Sequence, residues 1–186
     1  MNKKPNNISV AILMTDGFEE SEFTKPYEVL HDAGIRTVVV SLKSGIIKSW
    51  KNKNWGSEVE VNKTVDDVQG EDFDALILPG GVINSDKLRM SKTAIKFTAS
   101  FLASGKPVAA ICHAPWILIE TGLLSGRTVT SYPSLKTDLI NAGAIWKDAE
   151  VIVDNGLVTS RNPDDLPAFC KKMLEEIGEG VHKYEQ

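Results

Sequence analysis

Three short stretches of this chain combine residue types that can do chemistry. Val108 to Ile117, VAAICHAPWI, runs a small-residue apolar strand into Cys112-His113 and then into a helix-compatible segment. A cysteine on such a strand-to-helix elbow stands exposed, and the following helix turns its free N–H groups and positive dipole end toward the sulfur. That setting favours thiolate over thiol. The competing expectation is a small buried hydrophobe closing a strand, as most free cysteines are. The second stretch, Asp16 to Glu22 (DGFEESE), is acidic. If Glu22 or Glu19 lies beside Cys112, two anions would have to share a low-dielectric site, so the carboxyl is expected to keep its proton and donate it to the thiolate. Glu19, Glu20 and Glu22 also suit a solvated helix N-terminus, and that role suffices for Glu20. In the third stretch, Pro79-Gly80-Gly81, backbone amides can approach a substrate closely. Gly80, Gly81 and the amide of His113 are therefore candidates for an oxyanion hole, the alternative being a plain tight turn.

His113 directly follows the cysteine, and adjacent residues at a helix start do not face each other. It serves as a base only by swinging toward the sulfur, with a carboxylate orienting its other nitrogen. His31 and His182 stand in polar, helix-end contexts with no evident partner. The sequence has no Walker loop, no GxGxxG after a strand, no HExxH and no cysteine pair at zinc spacing. No metal or other cofactor is expected.

The elements that must position these residues follow a strand–helix alternation. Short apolar runs at Ile8–Met14, Arg36–Leu42, Phe73–Leu78, Pro107–Ile111 and Glu150–Val153 read as strands, with Leu157–Ser160 as a second arm after the Asn155-Gly156 turn. Helical patterns lie at Ser21–Ala33, Lys92–Ala103, His113–Thr121 and Ser134–Asn141, with Gly34, Gly105, Gly122 and Gly143 where left-handed caps are wanted. Asn162-Pro163-Asp164-Asp165 caps a last amphipathic helix carrying Leu166, Phe169, Met173 and Ile177, in which Cys170 reads as core filler. The pattern predicts right-handed crossovers and a mostly parallel sheet between helices, with ligands at the carboxyl ends of the strands. Residues 43–64 break the alternation as a hairpin excursion. Its Trp50 and Trp55 suit either a subunit contact or the cover of a sheet edge.

A chain of 186 residues with ordinary apolar and charged content and no linker or repeat is read as one domain, 1–186. A net charge of −4 with scattered lysines argues against a nucleic-acid partner. Two cysteines make no disulfide framework, and neither a signal peptide nor a membrane-length apolar run is visible, so a reduced, cytoplasmic protein is expected. The ends, MNKKPNN and HKYEQ, read as short and frayed.

Taken in order, DGFEESE, DALILPGG, GKPVAAICHAP, LLSGRTVTSYPSLKTDLINAGA and DAEVIVDNGLVTSRNPDDLPAF strongly resemble the PfpI family of the ThiJ/PfpI superfamily, relatives of class I glutamine amidotransferases. The resemblance runs from Val10 to about Leu174. It implies a flavodoxin-like three-layer α/β/α sandwich, a nucleophilic Cys112 with His113 beside it, Glu22 hydrogen-bonded to the sulfur and Glu19 at the pocket mouth. It also implies a homo-oligomer in which an acid after the double glycine acts across subunits, here Asp86 in the loop from Val82 to Arg89. That loop lacks the proline that usually precedes the acid, Ala114 replaces a usual glycine, and Trp116 adds bulk nearby. Activities of the family include intracellular peptidase, methylglyoxal-directed glyoxalase or deglycase, and stress-linked chaperone behaviour. The first reading is thus a stress-protective cysteine hydrolase or lyase acting on small carbonyl adducts or peptides. The second is a redox sensor or chaperone whose Cys112 is oxidised without turnover. A glutamine amidotransferase is disfavoured, since no His-x-Glu pair follows the cysteine.

Overall fold

The computed structural model describes residues 4–182. The first apolar run forms β1 (Ser9–Leu13), followed by the two-residue β2 (Phe18–Glu19), α1 (Glu20–Asp32), β3 (Arg36–Ser41), β4 (Ile46–Lys51), β5 (Asn54–Glu60) and β6 (Lys63–Thr64). Then come β7 (Ala75–Leu78), α2 (Val82–Met90), α3 (Lys92–Ala103), β8 (Val108–Ile111), α4 (Pro115–Glu120) and β9 (Thr128–Val129). The chain closes with α5 (Lys136–Asn141), β10 (Ile145–Trp146), β11 (Val151–Asp154), β12 (Leu157–Ser160) and α6 (Leu166–Glu179).

Seven strands form one sheet in the order β11-β12-β8-β7-β1-β3-β6. Every pairing is parallel except β11 on β12, joined through Asn155 and Gly156, both with positive φ as a tight hairpin requires. Successive residues of a strand point to opposite faces, and the core divides accordingly. Ala11, Leu13, Leu76, Leu78 and Ala110 pack with Leu88, Phe97, Phe101 and Leu118 from α2, α3 and α4. Val10, Ile12, Ile77, Ala109 and Ile111 pack with Leu30 of α1 and Phe169, Met173 and Ile177 of α6, where Cys170 is buried as filler. The result is the expected flavodoxin-like three-layer sandwich.

Two readings of local structure need correction. Val82–Met90 is a helix and not a loop, and it carries no helical signature because its polar residues do not fall on one face. Asn84 is fully buried, with its side-chain amide donating to the carbonyls of Pro79 and Gly80 while its oxygen accepts the Thr15 N–H at 2.7 Å. This stitches α2 to the first loop and to the double glycine. The helix after Cys112 begins only at Pro115 and is six residues long, so its dipole acts on the sulfur more weakly than expected. The hairpin excursion forms as β4 and β5, and β2 joins it in parallel with Glu19 beside Trp50. Frayed ends were expected, but Pro5–Asn7 form a turn and His182 is hydrogen-bonded; residues 1–3 and 183–186 lie outside the described residues.

Candidate active site

Cys112 follows β8 with φ at +64°, a conformation rare for a residue with a side chain. The surrounding backbone holds it there: the Cys112 N–H donates to the Ser160 carbonyl at 3.0 Å, and the Tyr132 N–H donates to the Cys112 carbonyl at 2.9 Å. The strained turn overcomes the geometry that keeps adjacent side chains apart on a helix. His113 Nδ1 lies 3.1 Å from Cys112 Sγ. The imidazole stacks on Tyr132 at 4.6 Å, and its Nε2 meets the Ser134 hydroxyl at 3.4 Å. Burial holds the His113 pKa down, which favours the neutral ring.

Glu22 of α1 is fully buried and reaches across to the elbow. Its Oε2 accepts the Gly80 N–H at 2.9 Å, its carboxyl interacts with the Cys112 side chain, and its Oε1 is buried with no hydrogen-bond partner. Burial, with help from the Glu19 charge, pushes the Glu22 pKa up to about 8. Burial, the Glu22 charge and the Glu22 hydrogen bond push the Cys112 thiol up, while the amides of Gly81 and His113 pull it down. The expectation that Cys112 stands exposed is corrected: it is buried, packed beside Ile111 and Val158, and desolvation opposes the electropositive elbow. The two acids share one desolvated site, and the raised Glu22 pKa favours its protonated form, which weakens its repulsion of a Cys112 thiolate.

The glycines divide their work. The Gly80 N–H is committed to Glu22, so the candidate oxyanion hole reduces to the amides of Gly81 and His113. A Cβ at Gly80 would lie 2.8 Å from Cys112 Cβ and 2.7 Å from the Ile111 carbonyl, so no larger residue fits. Gly81, with φ at +91°, packs against the Gly17 carbonyl with equal intolerance.

These groups line a cavity of about 260 Å³ walled by Trp50, Ile83 and Tyr132. Trp50 lines this cavity and meets half-exposed Trp55 edge-on at 5.4 Å. Glu19 stands at the cavity with burial raising its carboxyl pKa. Glu20 is not a plain solvated helix end. It accepts from Ser49 Oγ at 2.6 Å, Lys51 Nζ at 2.5 Å and the Ser57 N–H at 2.8 Å, pinning the hairpin to α1. Asp86 lies on the exposed face of α2 and outside this cavity, and within one chain His113 meets Ser134 instead. Asn84 was missed because it lies in no recognisable motif, and Glu20, although within DGFEESE, was read only as a solvated helix end.

A model of the DJ-1/PfpI family matches residues 8–176. The chain belongs to the DJ-1/PfpI family. Protein/nucleic acid deglycase 2 of Escherichia coli (strain K12) is 44% identical over 170 residues, covering 91% of this chain and 97% of the relative. General stress protein 18 of Bacillus subtilis (strain 168) is 43% identical over 166 residues, covering 89% and 95%. Among solved structures, Drosophila melanogaster DJ-1beta superposes with a TM-score of 0.83 at 32% identity, covering 92% of this chain and 90% of that one. Among the described residues, no helix is long and apolar enough to cross a membrane.

Proposed function

We propose that this DJ-1/PfpI member is a stress-protective cysteine enzyme of the cytoplasm, a glyoxalase or deglycase acting on small carbonyl compounds or their adducts. The observation that carries the reading is the buried Glu22 carboxyl beside Cys112, with His113 Nδ1 3.1 Å from the same sulfur. A cavity of about 260 Å³ suits a small carbonyl or one side chain better than a length of peptide. The names of the Escherichia coli and Bacillus subtilis relatives point the same way.

The chemistry is nucleophilic addition. With Nε2–H directed at Ser134, neutral His113 accepts the thiol proton at Nδ1 as the sulfur bonds to the carbonyl carbon. The carbonyl π electrons move to oxygen, which the amides of Gly81 and His113 stabilise, and His113 returns the proton to give a hemithioacetal. Glu22 keeps its own proton and donates it in a hydrogen bond to the sulfur as negative charge develops there. Asp86 of a second copy is proposed to take over the Nε2–H from Ser134 and so orient His113, which makes the working form a homo-oligomer. Mixed Cys112→Ala and Asp86→Ala subunits then recover part of the activity after exchange.

Methylglyoxal consumption, run beside a fluorogenic peptide and a Cys112→Ala control, tests the reading. It predicts methylglyoxal turnover that vanishes in the control. No turnover, with Cys112 still oxidised by peroxide, favours the redox sensor.

A further inference from the structure

At the end of the sheet opposite Cys112, the C-terminal turn gathers three metal-ligating side chains. Glu176 and Glu179 are one helical turn apart at the end of α6, and such residues share a face. Gly180, with φ at +82°, ends the helix while its N–H still bonds the Glu176 carbonyl at 3.0 Å. The chain then brings His182 back toward the sheet, where its N–H donates to the Gly105 carbonyl at 2.8 Å. A Cβ on Gly156 would lie 2.7 Å from His182 Cδ2, and one on Gly105 would collide with the His182 carbonyl. The niche that holds this histidine therefore requires glycine on both sides.

Glu176 is only 8% exposed, and its carboxyl accepts the Gly156 N–H. Its Oε2 lies 3.0 Å from His182 Nε2, yet both atoms are buried and neither makes a hydrogen bond. The pair is within ion-pair distance, but with its N–H not aimed at the oxygen, both desolvated atoms lack a hydrogen bond. A cation between them would satisfy both. Ligand atoms of Glu176, Glu179 and His182 all lie within 4.8 Å of one another. Tetrahedral zinc, with bonds of about 2.0–2.2 Å to nitrogen and oxygen, sets neighbouring donors roughly 3.3 Å apart.

We propose that Glu176, Glu179 and His182 bind a divalent cation of the zinc class, which fastens the C-terminal tail to α6. Two carboxylates balance the cation charge, and the imidazole selects zinc over magnesium or calcium, which prefer all-oxygen sites. The Gly156 N–H fixes the Glu176 carboxyl for binding. The exposed Glu179 swings in as the third ligand, and water completes the coordination. This corrects the reading of His182 as a histidine without a partner.

The test titrates the full chain carrying Cys112→Ala, which removes the competing thiol, with Zn²⁺ in a calorimeter, using Mg²⁺ as control. One equivalent of Zn²⁺ is expected to bind and raise Tm, with Mg²⁺ without effect. Adding His182→Ala or Glu179→Gln weakens zinc binding at least about tenfold. Absence of zinc binding in the Cys112→Ala chain overturns the site, as does binding of undiminished strength in both variants. A Tm loss on His182→Ala that is the same with and without zinc also overturns it, because a plain ion pair accounts for that result.

Discussion

Glu20 and Glu22 sit two residues apart on the first turn of α1, yet their surroundings drive them to opposite protonation states. Glu20 faces the hairpin, where Lys51, Ser49 and the Ser57 N–H donate to it and hold its pKa at about 2. Glu22 faces the core, where burial outweighs the Gly80 N–H and holds it at about 8. A carboxyl ringed by donors becomes a fixed anion that anchors structure, whereas a desolvated one with a single backbone donor keeps a proton for use. One helical turn thus supplies both the anchor of the Trp50 hairpin and the acid beside Cys112.

The largest expected effect breaks the reactive side of this comparison outright. Cys112→Ala abolishes turnover, and Gly80→Ala comes close to it by driving a methyl group against Glu22 and Cys112. Steady-state assays of the purified variants, with circular dichroism to confirm folding, check both.

Next come the Glu22 variants. Glu22→Ala removes the donor to sulfur and slows Cys112 alkylation at neutral pH by about 100-fold, whereas Glu22→Gln, whose amide still donates, slows it by about tenfold. Iodoacetamide kinetics with peptide mapping reads this, with Cys170 as the unreactive internal reference. Faster alkylation in Glu22→Ala would mean that the carboxyl acts as a bare repelling charge.

Stability against pH separates the two acids by sign. Glu22 has a folded pKa raised from 4.5 to about 8, so the native chain holds a proton that the unfolded chain has released. Native stability therefore falls as pH rises from 4.5 through about 8. Glu22→Gln removes that fall and raises Tm relative to the parent most strongly above about pH 8. Glu20 has a folded pKa lowered from 4.5 to about 2, so its contribution is present above 4.5 and lost as pH drops through about 2. Glu20→Gln lowers Tm at neutral pH and converges with the parent in strong acid. Solvent screening keeps this last effect to roughly 2–4 °C. Melting curves of both variants across pH should thus diverge from the parent in opposite directions.

What the sequence disclosed follows the same division between local and long-range causes. Apolar runs such as Ile8–Met14 and the helix-ending glycines mark elements through local pattern, and the CHAP elbow and double glycine mark the site through motif. Charge repulsion left Glu19 and Glu22 equally open as a protonated partner of Cys112, and it was the family resemblance of DGFEESE that pointed to Glu22, the one the fold buries. Glu20 was not legible as an anchor, since its donors come from residues 49–57 and only the β2–β4 register brings them to it. Likewise α2 was hidden because Asn84, polar by type, is buried by bonds to Thr15, Pro79 and Gly80. His182 gained its neighbour only through the chain reversal after Gly180.

The central claim is that Glu22 carries a proton at neutral pH and donates it to Cys112. Infrared difference spectra of the parent against Glu22→Gln, recorded across pH, isolate the Glu22 carboxyl. A carboxylic-acid C=O band that is present at neutral pH and disappears near 8 is the predicted result. A carboxylate signature at neutral pH, with no acid band until the solution is well below the ordinary glutamate range, would contradict it.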